Sequence, residues 1–216
     1  MMLPFTIEQF LGVFASYNRA IWPMQVLAYL LGGLAFVLVF RKDRWADQIV
    51  AGILAAMWAW TGIVYHLTFF ATINKLAYIF GALFVVQAAA FVYFGVCQNR
   101  IDFDYNEESA GVIGVAFVFY AAAIYPLFGL EMGQHPNELP MFGVTPCPVT
   151  IFSFGMLLLT RQPVPRWLLV IPFLWSLVGG SAAILLRVPQ DWALLVAGAV
   201  SLALLIQRDR RVASAC

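Results

Sequence analysis

The sequence predicts an all-α fold, a polytopic membrane bundle of about seven transmembrane helices preceded by an N-terminal interfacial helix. Hydrophobic residues make up 63% of the 216 residues and charged residues only 11%, whereas soluble globular domains carry about 25% charged residues. The apolar residues also gather in stretches of about 20, the length that crosses the hydrocarbon core of a bilayer. We therefore expect a single integral membrane domain, residues 1–216, with no sizeable domain outside the membrane.

Residues 1–20 are predicted to form an amphipathic helix that lies in the membrane interface. Its apolar residues recur at helical spacing and are Ile7, Phe10, Leu11, Phe14 and Tyr17. Thr6 and Gln9 form a capping box, which marks where the helix begins. Such a helix serves as an anchor or as a lid over the bundle.

Seven apolar stretches separated by polar or basic turns are predicted to be the spans. They cover residues of about 21–40, 47–69, 76–97, 111–130, 146–161, 167–186 and 192–206.

The orientation follows from the basic residues, because cytoplasmic loops collect Lys and Arg. Alternation of seven spans puts nine basic residues on one side and three on the other. The nine are Arg41, Lys42, Arg44, Arg100, Arg161, Arg166, Arg208, Arg210 and Arg211, and the three are Arg19, Lys75 and Arg187. We therefore expect an N-terminus outside and a C-terminus inside a bacterial inner (plasma) membrane.

The segment 131–149 holds the largest concentration of reactive side chains, including Glu131, His135 and Cys147. Thr145 is a suitable N-cap and Pro146 suits the first helical position, so Cys147 is expected in the first turn of a span. The positive end of a helix dipole favours a thiolate there. The alternative interpretation is a proline-defined helix start with an incidental small residue.

His66 is the ionisable residue that the sequence places within a span, on the same helix face as Trp58 and Tyr65. An ionisable residue in a span is a candidate ligand or proton carrier. The alternative is a neutral histidine bonded to a carbonyl or a tyrosine. Lys75, in the turn after this span, serves either as an interfacial anchor or to attract an anion.

The chain resembles a family of small, functionally uncharacterised bacterial polytopic membrane proteins with a Thr-Pro-Cys-Pro helix start. The resemblance rests on Trp22-Pro23, on residues 65–81, and on residues 135–148 running into 151–155. It covers most of the chain and implies no catalytic roles. The layout of the spans, with three on either side of a middle one, is also similar to the architecture of small sugar and vitamin transporters.

The expected function is binding and transport of a small solute or ion, including a soft metal ion, through an outward-facing site. The ligand-binding candidates are His66, His135, Cys147, Tyr65, Trp58, Lys75 and Glu131, and the metal candidates among them are Cys147, His135 and His66.

We expect His66, His135 and Cys147 to meet in one outward cavity. Two alternatives stay open: a membrane enzyme with Cys147 as an outer-face nucleophile, and a structural subunit of a membrane complex. No cofactor is indicated. The partners expected are the lipid bilayer and a small solute or ion, with a homo-oligomer as an open alternative, and a net charge of +1 gives no reason to expect nucleic acid.

Overall fold

The structure, a computed structural model, describes residues 4–105, 107–186 and 188–215, without the side chains of residues 182 and 211–215. Arg187, residues 1–3 and the side chain of Arg211, on which parts of the predictions fall, lie outside this description. The described chain is helical, as predicted, and its strand-like pairing is limited to a single β-bridge between Phe103 and Thr160.

The helices are α1 (Ile7–Ala20), α2 (Met24–Leu38), α3 (Arg44–Trp60), α4 (Ala77–Phe91), α5 (Ser109–Phe119), α6 (Tyr125–Glu131), α7 (Pro146–Leu158), α8 (Trp167–Leu185) and α9 (Trp192–Ala215). Three π-helical segments continue α3, α4 and α5, and they are Thr61–Phe69, Val92–Cys97 and Tyr120–Ile124. Short 3₁₀ turns lie at Phe70–Thr72, Pro136–Glu138 and Pro189–Asp191.

Five helical stretches are long and apolar enough to cross a membrane by themselves. They are Arg44–Thr72, Ala77–Cys97, Ser109–Glu131, Trp167–Leu185 and Pro189–Arg210. A sixth is obtained if α1 and α2, which meet at an angle of 84°, are counted as one bent span. Several helices can therefore cross a membrane, which agrees with a multi-pass membrane protein.

Helix α7 is shorter than the span predicted for residues 146–161. Its 13 residues reach about 20 Å at 1.5 Å per residue, against a hydrocarbon core of about 30 Å. Every residue of α7 except Cys147 is buried, so this helix lies inside the bundle. It crosses α5 closely, because a Cβ at Gly114 would lie 2.8 Å from the carbonyl oxygen of Gly155.

Helix α1 forms as the amphipathic pattern predicts. The capping box is present: the Gln9 N–H donates to Thr6 Oγ1 at 3.2 Å and the Thr6 N–H donates to Gln9 Oε1 at 2.9 Å. The helix also holds the segment that precedes α7. Tyr17 donates to the carbonyl of Val144 at 2.6 Å, and Asn18 donates to the carbonyl of Leu139 at 2.8 Å.

One end of the bundle, formed by residues 44–48, 96–104, 158–161 and 208, is called the paired end below. There the carboxylate of Asp47 accepts the backbone N–H of Phe103 at 2.9 Å. Arg208 donates to the carbonyl of Thr160 at 2.7 Å, and Arg161 lies 3.2 Å from Asp102. These contacts join the first turn of α3, the loop after α4, the end of α7 and the last helix.

Candidate functional site in an aromatic cavity

A cavity of about 610 Å³ lies at the other end of the bundle, called the cavity end below. Its walls include parts of α1, the π-helical continuation of α3, the starts of α4, α6 and α7, α8 and the turn before α9. The aromatic wall includes Phe10, Phe14, Tyr65, Phe70, Phe80 and Trp175. This volume and this apolar lining are typical of small-molecule binding sites.

His66 lies in the wall of the cavity and is 0% exposed. Neither of its ring nitrogens has a hydrogen-bond partner among the residues that the structure describes. Aromatic rings surround it, with the Phe84 centroid at 4.8 Å and the Trp175 centroid at 5.1 Å. Buried polar side chains in native structures are almost always hydrogen-bonded, so His66 is unusual in carrying an unused donor and an unused acceptor beside the cavity.

A second polar group in the wall consists of Asp191, Tyr125 and Cys147. Asp191 is 2% exposed and Tyr125 is 1% exposed. The Tyr125 hydroxyl donates to Asp191 Oδ1, and the Cys147 thiol is within hydrogen-bonding reach of both side chains. Three helices meet here, because Tyr125 begins α6, Cys147 lies in the first turn of α7 and Asp191 directly precedes α9.

Trp175 of α8 lies between the two polar groups. Its ring contacts that of His66, and its indole is close to the sulfur of Cys147. The indole nitrogen is buried and makes no hydrogen bond of normal geometry. The rings of Phe80 and Phe84, with centroids at 5.3 and 5.0 Å, fix its orientation.

The turn that carries Asp191 is fixed by its neighbours. The amide of Gln190 donates to the side chain of Gln134 at 3.2 Å, and the Tyr120 hydroxyl donates to the Gln190 carbonyl at 3.0 Å. The Asp191 N–H donates to the Val188 carbonyl at 3.0 Å. The carboxylate is thereby held at the cavity wall.

A family model described as a family of unknown function (DUF6064) matches residues 7–215. The chain belongs to this family. The prediction of an uncharacterised family is thereby confirmed. Neither the curated proteins nor the solved structures include a match. All the cavity-lining side chains described above lie within the matched range.

In this DUF6064 member, three of the predicted site residues share the cavity: His66, Tyr65 and Cys147. The π-helical segment Thr61–Phe69 carries the first two, and π-helical turns are frequent at functional sites. Cys147 lies in the first turn of α7, as predicted. Thr145 occupies the N-cap position but makes no capping hydrogen bond, because its hydroxyl donates to the Met141 carbonyl at 2.7 Å.

The other predicted site residues lie elsewhere. Trp58 is fully buried in the bundle and donates to Ser153 at 2.8 Å. Lys75 is exposed and outside the cavity wall, with its Nζ 5.8 Å from the centre of the Tyr78 ring. Glu131, at the end of α6, is exposed and outside the cavity wall.

The predicted metal site of Cys147, His135 and His66 is not assembled. His135 is exposed in the turn before Pro136–Glu138 and does not line the cavity. Within residues 4–105, 107–186 and 188–215, no three His, Cys, Asp or Glu side chains are arranged to hold a metal ion. The proline-rich segment folds back under α1, which leaves the His135 side chain on the outside.

Three cavity residues were missed by the sequence analysis: Asp191, Tyr125 and Trp175. Asp191 stands after a proline at the start of a helix, a position in which acidic residues serve as ordinary caps. Tyr125 and Trp175 look like any other aromatic residue in a span. Of the three, only Asp191 could have been selected from the sequence, because it is the acidic residue that directly precedes the last apolar stretch.

Proposed function

We propose that this protein binds a small solute with a largely apolar body in the aromatic cavity and transports it through the membrane. The observation that carries the proposal is the cavity of about 610 Å³ with His66 in its wall, both ring nitrogens unpartnered. Aromatic walls favour an apolar body through burial of its surface. The imidazole offers one donor and one acceptor that orient a polar group of the solute.

The solute reaches the cavity from the side of the bundle. Of the residues in the cavity wall, Pro4, Leu76, Val178, Ser181 and Leu185 are exposed. Four of the five are apolar, and three belong to α8, a helix long enough to cross the membrane. A mouth of this composition suits a molecule that partitions into lipid before it binds.

The proposal includes seven crossings, with the N-terminus and the cavity end outside and the paired end inside a bacterial inner membrane. It is supported by the contacts that join residues 44–48, 96–104 and 158–161 at one end, as alternation requires. The excess of Lys and Arg on the loops of the paired end supports the same orientation. The short α7 crosses where other helices surround it, so that its ends need not reach lipid headgroups.

The alternative of a thiol enzyme has less support. With a histidine as its base, a Cys147 nucleophile would need that histidine within hydrogen-bond reach. Both nitrogens of His66 lack a hydrogen-bond partner, so the imidazole is not bonded to Cys147. The neighbours of the thiol are instead Asp191, Tyr125 and Trp175.

The proposal is tested with a substitution that narrows the mouth of the cavity. Val178→Trp puts a large ring into the wall, whereas Val170→Trp makes the same change on the same helix away from the cavity; both valines are 44% exposed. Proteins purified in lipid nanodiscs are extracted, and the small molecules released are identified by mass spectrometry. We expect a species that is retained by the wild type and Val170→Trp and reduced at least about tenfold in Val178→Trp, a loss of about 1.4 kcal/mol or more in binding.

Val170→Trp controls for the partition of apolar molecules into the added ring and the surrounding lipid. Identical sets of retained molecules in all three proteins would contradict the proposal. A loss shared by both variants would also contradict it, because only one of them alters the cavity.

A further inference from the structure

We infer that the solute carries a positively charged nitrogen, which the carboxylate of Asp191 and the aromatic wall of the cavity recognise. The inference rests on the proposed function and names the chemical class of its solute. It starts from the charges in the wall. Among the described residues that line the cavity, Asp191 is the one acidic side chain, and none is Lys or Arg.

The contacts of Asp191 are those of an acceptor. A carboxylate accepts hydrogen bonds only, and the Tyr125 hydroxyl donates to it while the Cys147 thiol lies within donating distance. Its place before the first turn of α9, a helix of 24 residues, puts it at the positive end of a helix dipole, which favours a negative charge. These contacts and the helix end favour the ionised form of the side chain.

Among the described residues, no Lys or Arg forms an ion pair with this carboxylate. The ion pairs of the described residues join Arg161 to Asp102 and Asp104, and Arg208 to Asp209, all at the paired end. Two neutral donors and a helix end offset only part of the cost of burying a charge, because buried charges are normally paired. A bound cation would supply the missing partner.

The aromatic wall favours the same kind of solute. The faces of Trp, Tyr and Phe rings attract a cation within about 6 Å, and the attraction grows when water is excluded. Tyr65, Phe70, Phe80 and Trp175 line the cavity together. The unpartnered nitrogens of His66 add an acceptor for an ammonium N–H. Among the described residues of the wall, an anionic solute would find no basic side chain, and the ring faces would not attract it.

The experiment compares three probes of one size and different charge: 3-phenylpropylammonium, 3-phenylpropan-1-ol and 3-phenylpropionate. Binding to the full chain in nanodiscs of zwitterionic lipid is measured at neutral pH by equilibrium dialysis, with Val178→Trp nanodiscs subtracted as the background. We expect the ammonium probe to bind at least about tenfold tighter than the alcohol, the gain typical of a charge-assisted hydrogen bond. The carboxylate probe should bind more weakly than the alcohol.

Two variants locate the charge that matters. Asp191→Asn should bring the ammonium probe to within about twofold of the alcohol, because the amide keeps an acceptor and loses the charge. Asp47→Asn removes a buried carboxylate at the paired end, outside the cavity wall, and should leave the preference unchanged.

The outcomes separate the two proposals. Equal binding of ammonium and alcohol by the wild type, or a preference for the carboxylate probe, would overturn the inference and leave the solute cavity standing. A cation preference that survives Asp191→Asn would also overturn it. If none of the three probes binds above the background, both the inference and the proposed function fail. The wild-type comparison is decisive even if a variant does not fold.

Discussion

Each end of the bundle buries an aspartate, and the two aspartates differ in their hydrogen-bond partners. Asp47 at the paired end is 8% exposed and Asp191 at the cavity end is 2% exposed. Asp47 accepts the backbone N–H of Phe103 at 2.9 Å, within a loop fixed by the bonds from Asp104 N–H to the Leu159 carbonyl and from Arg161 N–H to the Asp102 carbonyl. Among the described residues, the donors near the Asp191 carboxylate are the side chains of Tyr125 and Cys147, and Asp191 lines the cavity.

Asp47 stabilises the fold by accepting a backbone hydrogen bond, whereas Asp191 is itself positioned by the surrounding fold. At the paired end the carboxylate satisfies a backbone donor, so its removal would leave that donor unpaired in the packed loop. At the cavity end, neighbouring side chains and backbone groups hold Asp191 in position, while His66 has no hydrogen-bond partner among the described residues. Where a native structure departs from full hydrogen bonding, a functional or strained site is the usual reason.

The sharpest way to break this comparison is Asp47→Ala. The Phe103 N–H would then be buried without an acceptor, and the first turn of α3 would lose its acidic residue. We expect the free energy of unfolding to fall by about 2 kcal/mol, the cost of an unsatisfied buried donor plus the dipole interaction. The measurement is a reversible SDS titration in mixed micelles.

Asp43→Ala is the matched control for that variant. Asp43 is the exposed N-cap residue of the same helix and makes no side-chain capping bond, so its removal changes the same charge and should cost less than about 0.5 kcal/mol. Equal losses in the two variants would show that charge, and not the closed loop, is what Asp47 supplies.

At the cavity end, replacing a buried polar residue should raise the free energy of unfolding. His66→Phe removes two buried nitrogens that have no hydrogen-bond partner and places an apolar ring among aromatic neighbours. We expect the free energy of unfolding to rise by about 1 kcal/mol, because an unpaired buried polar group is destabilising. The same SDS titration measures it, and the retained solute should be lost in parallel.

Ser153→Ala is the matched comparison for His66→Phe, because it changes a side chain that is equally buried but hydrogen-bonded. Ser153 is fully buried, accepts the indole N–H of Trp58 at 2.8 Å and donates to the Val149 carbonyl. Its removal leaves the indole donor unpaired, so stability should fall by about 1 kcal/mol. If His66→Phe destabilised the protein as much, His66 would be a packing residue and its free nitrogens would carry no functional meaning.

Hydropathy and local signals were enough for the all-α class, the amphipathic first helix and its capping box. These features depend on residues close together in the chain, and Thr6 with Gln9 shows how directly such a pattern becomes a contact. The same signals placed Cys147 in the first turn of α7 and His66 within a span. Both positions follow from where apolar stretches begin and end.

Long-range packing was beyond these signals. The sequence predicted a span over residues 146–161 and gave no sign that the other elements bury α7 as a 13-residue central helix. Asp191 and Cys147 are 44 residues apart in the sequence, and only the folded turn Pro189–Asp191 brings them together. His135 was expected over the cavity, but the bonds from Asn18 to the carbonyls of Asn137 and Leu139 place its segment under α1 instead.

The smallest effect on stability is expected from removing the ion pairs of the paired end. This variant tests whether backbone hydrogen bonds or side-chain charges hold the loop 96–104 in place. Arg161→Gln removes contacts of 3.2 Å to Asp102 and 3.6 Å to Asp104 from a side chain that is 50% exposed. The Arg161 N–H still donates to the Asp102 carbonyl at 2.9 Å. Exposed ion pairs contribute about 0 to 1 kcal/mol and are screened by salt, so we expect a loss of about 0.5 kcal/mol or less in a titration at low salt. Raising the salt concentration should remove that loss. A loss above about 1.5 kcal/mol at both salt concentrations would mean that the Arg161 side chain, and not the backbone hydrogen bonds, holds this loop in place.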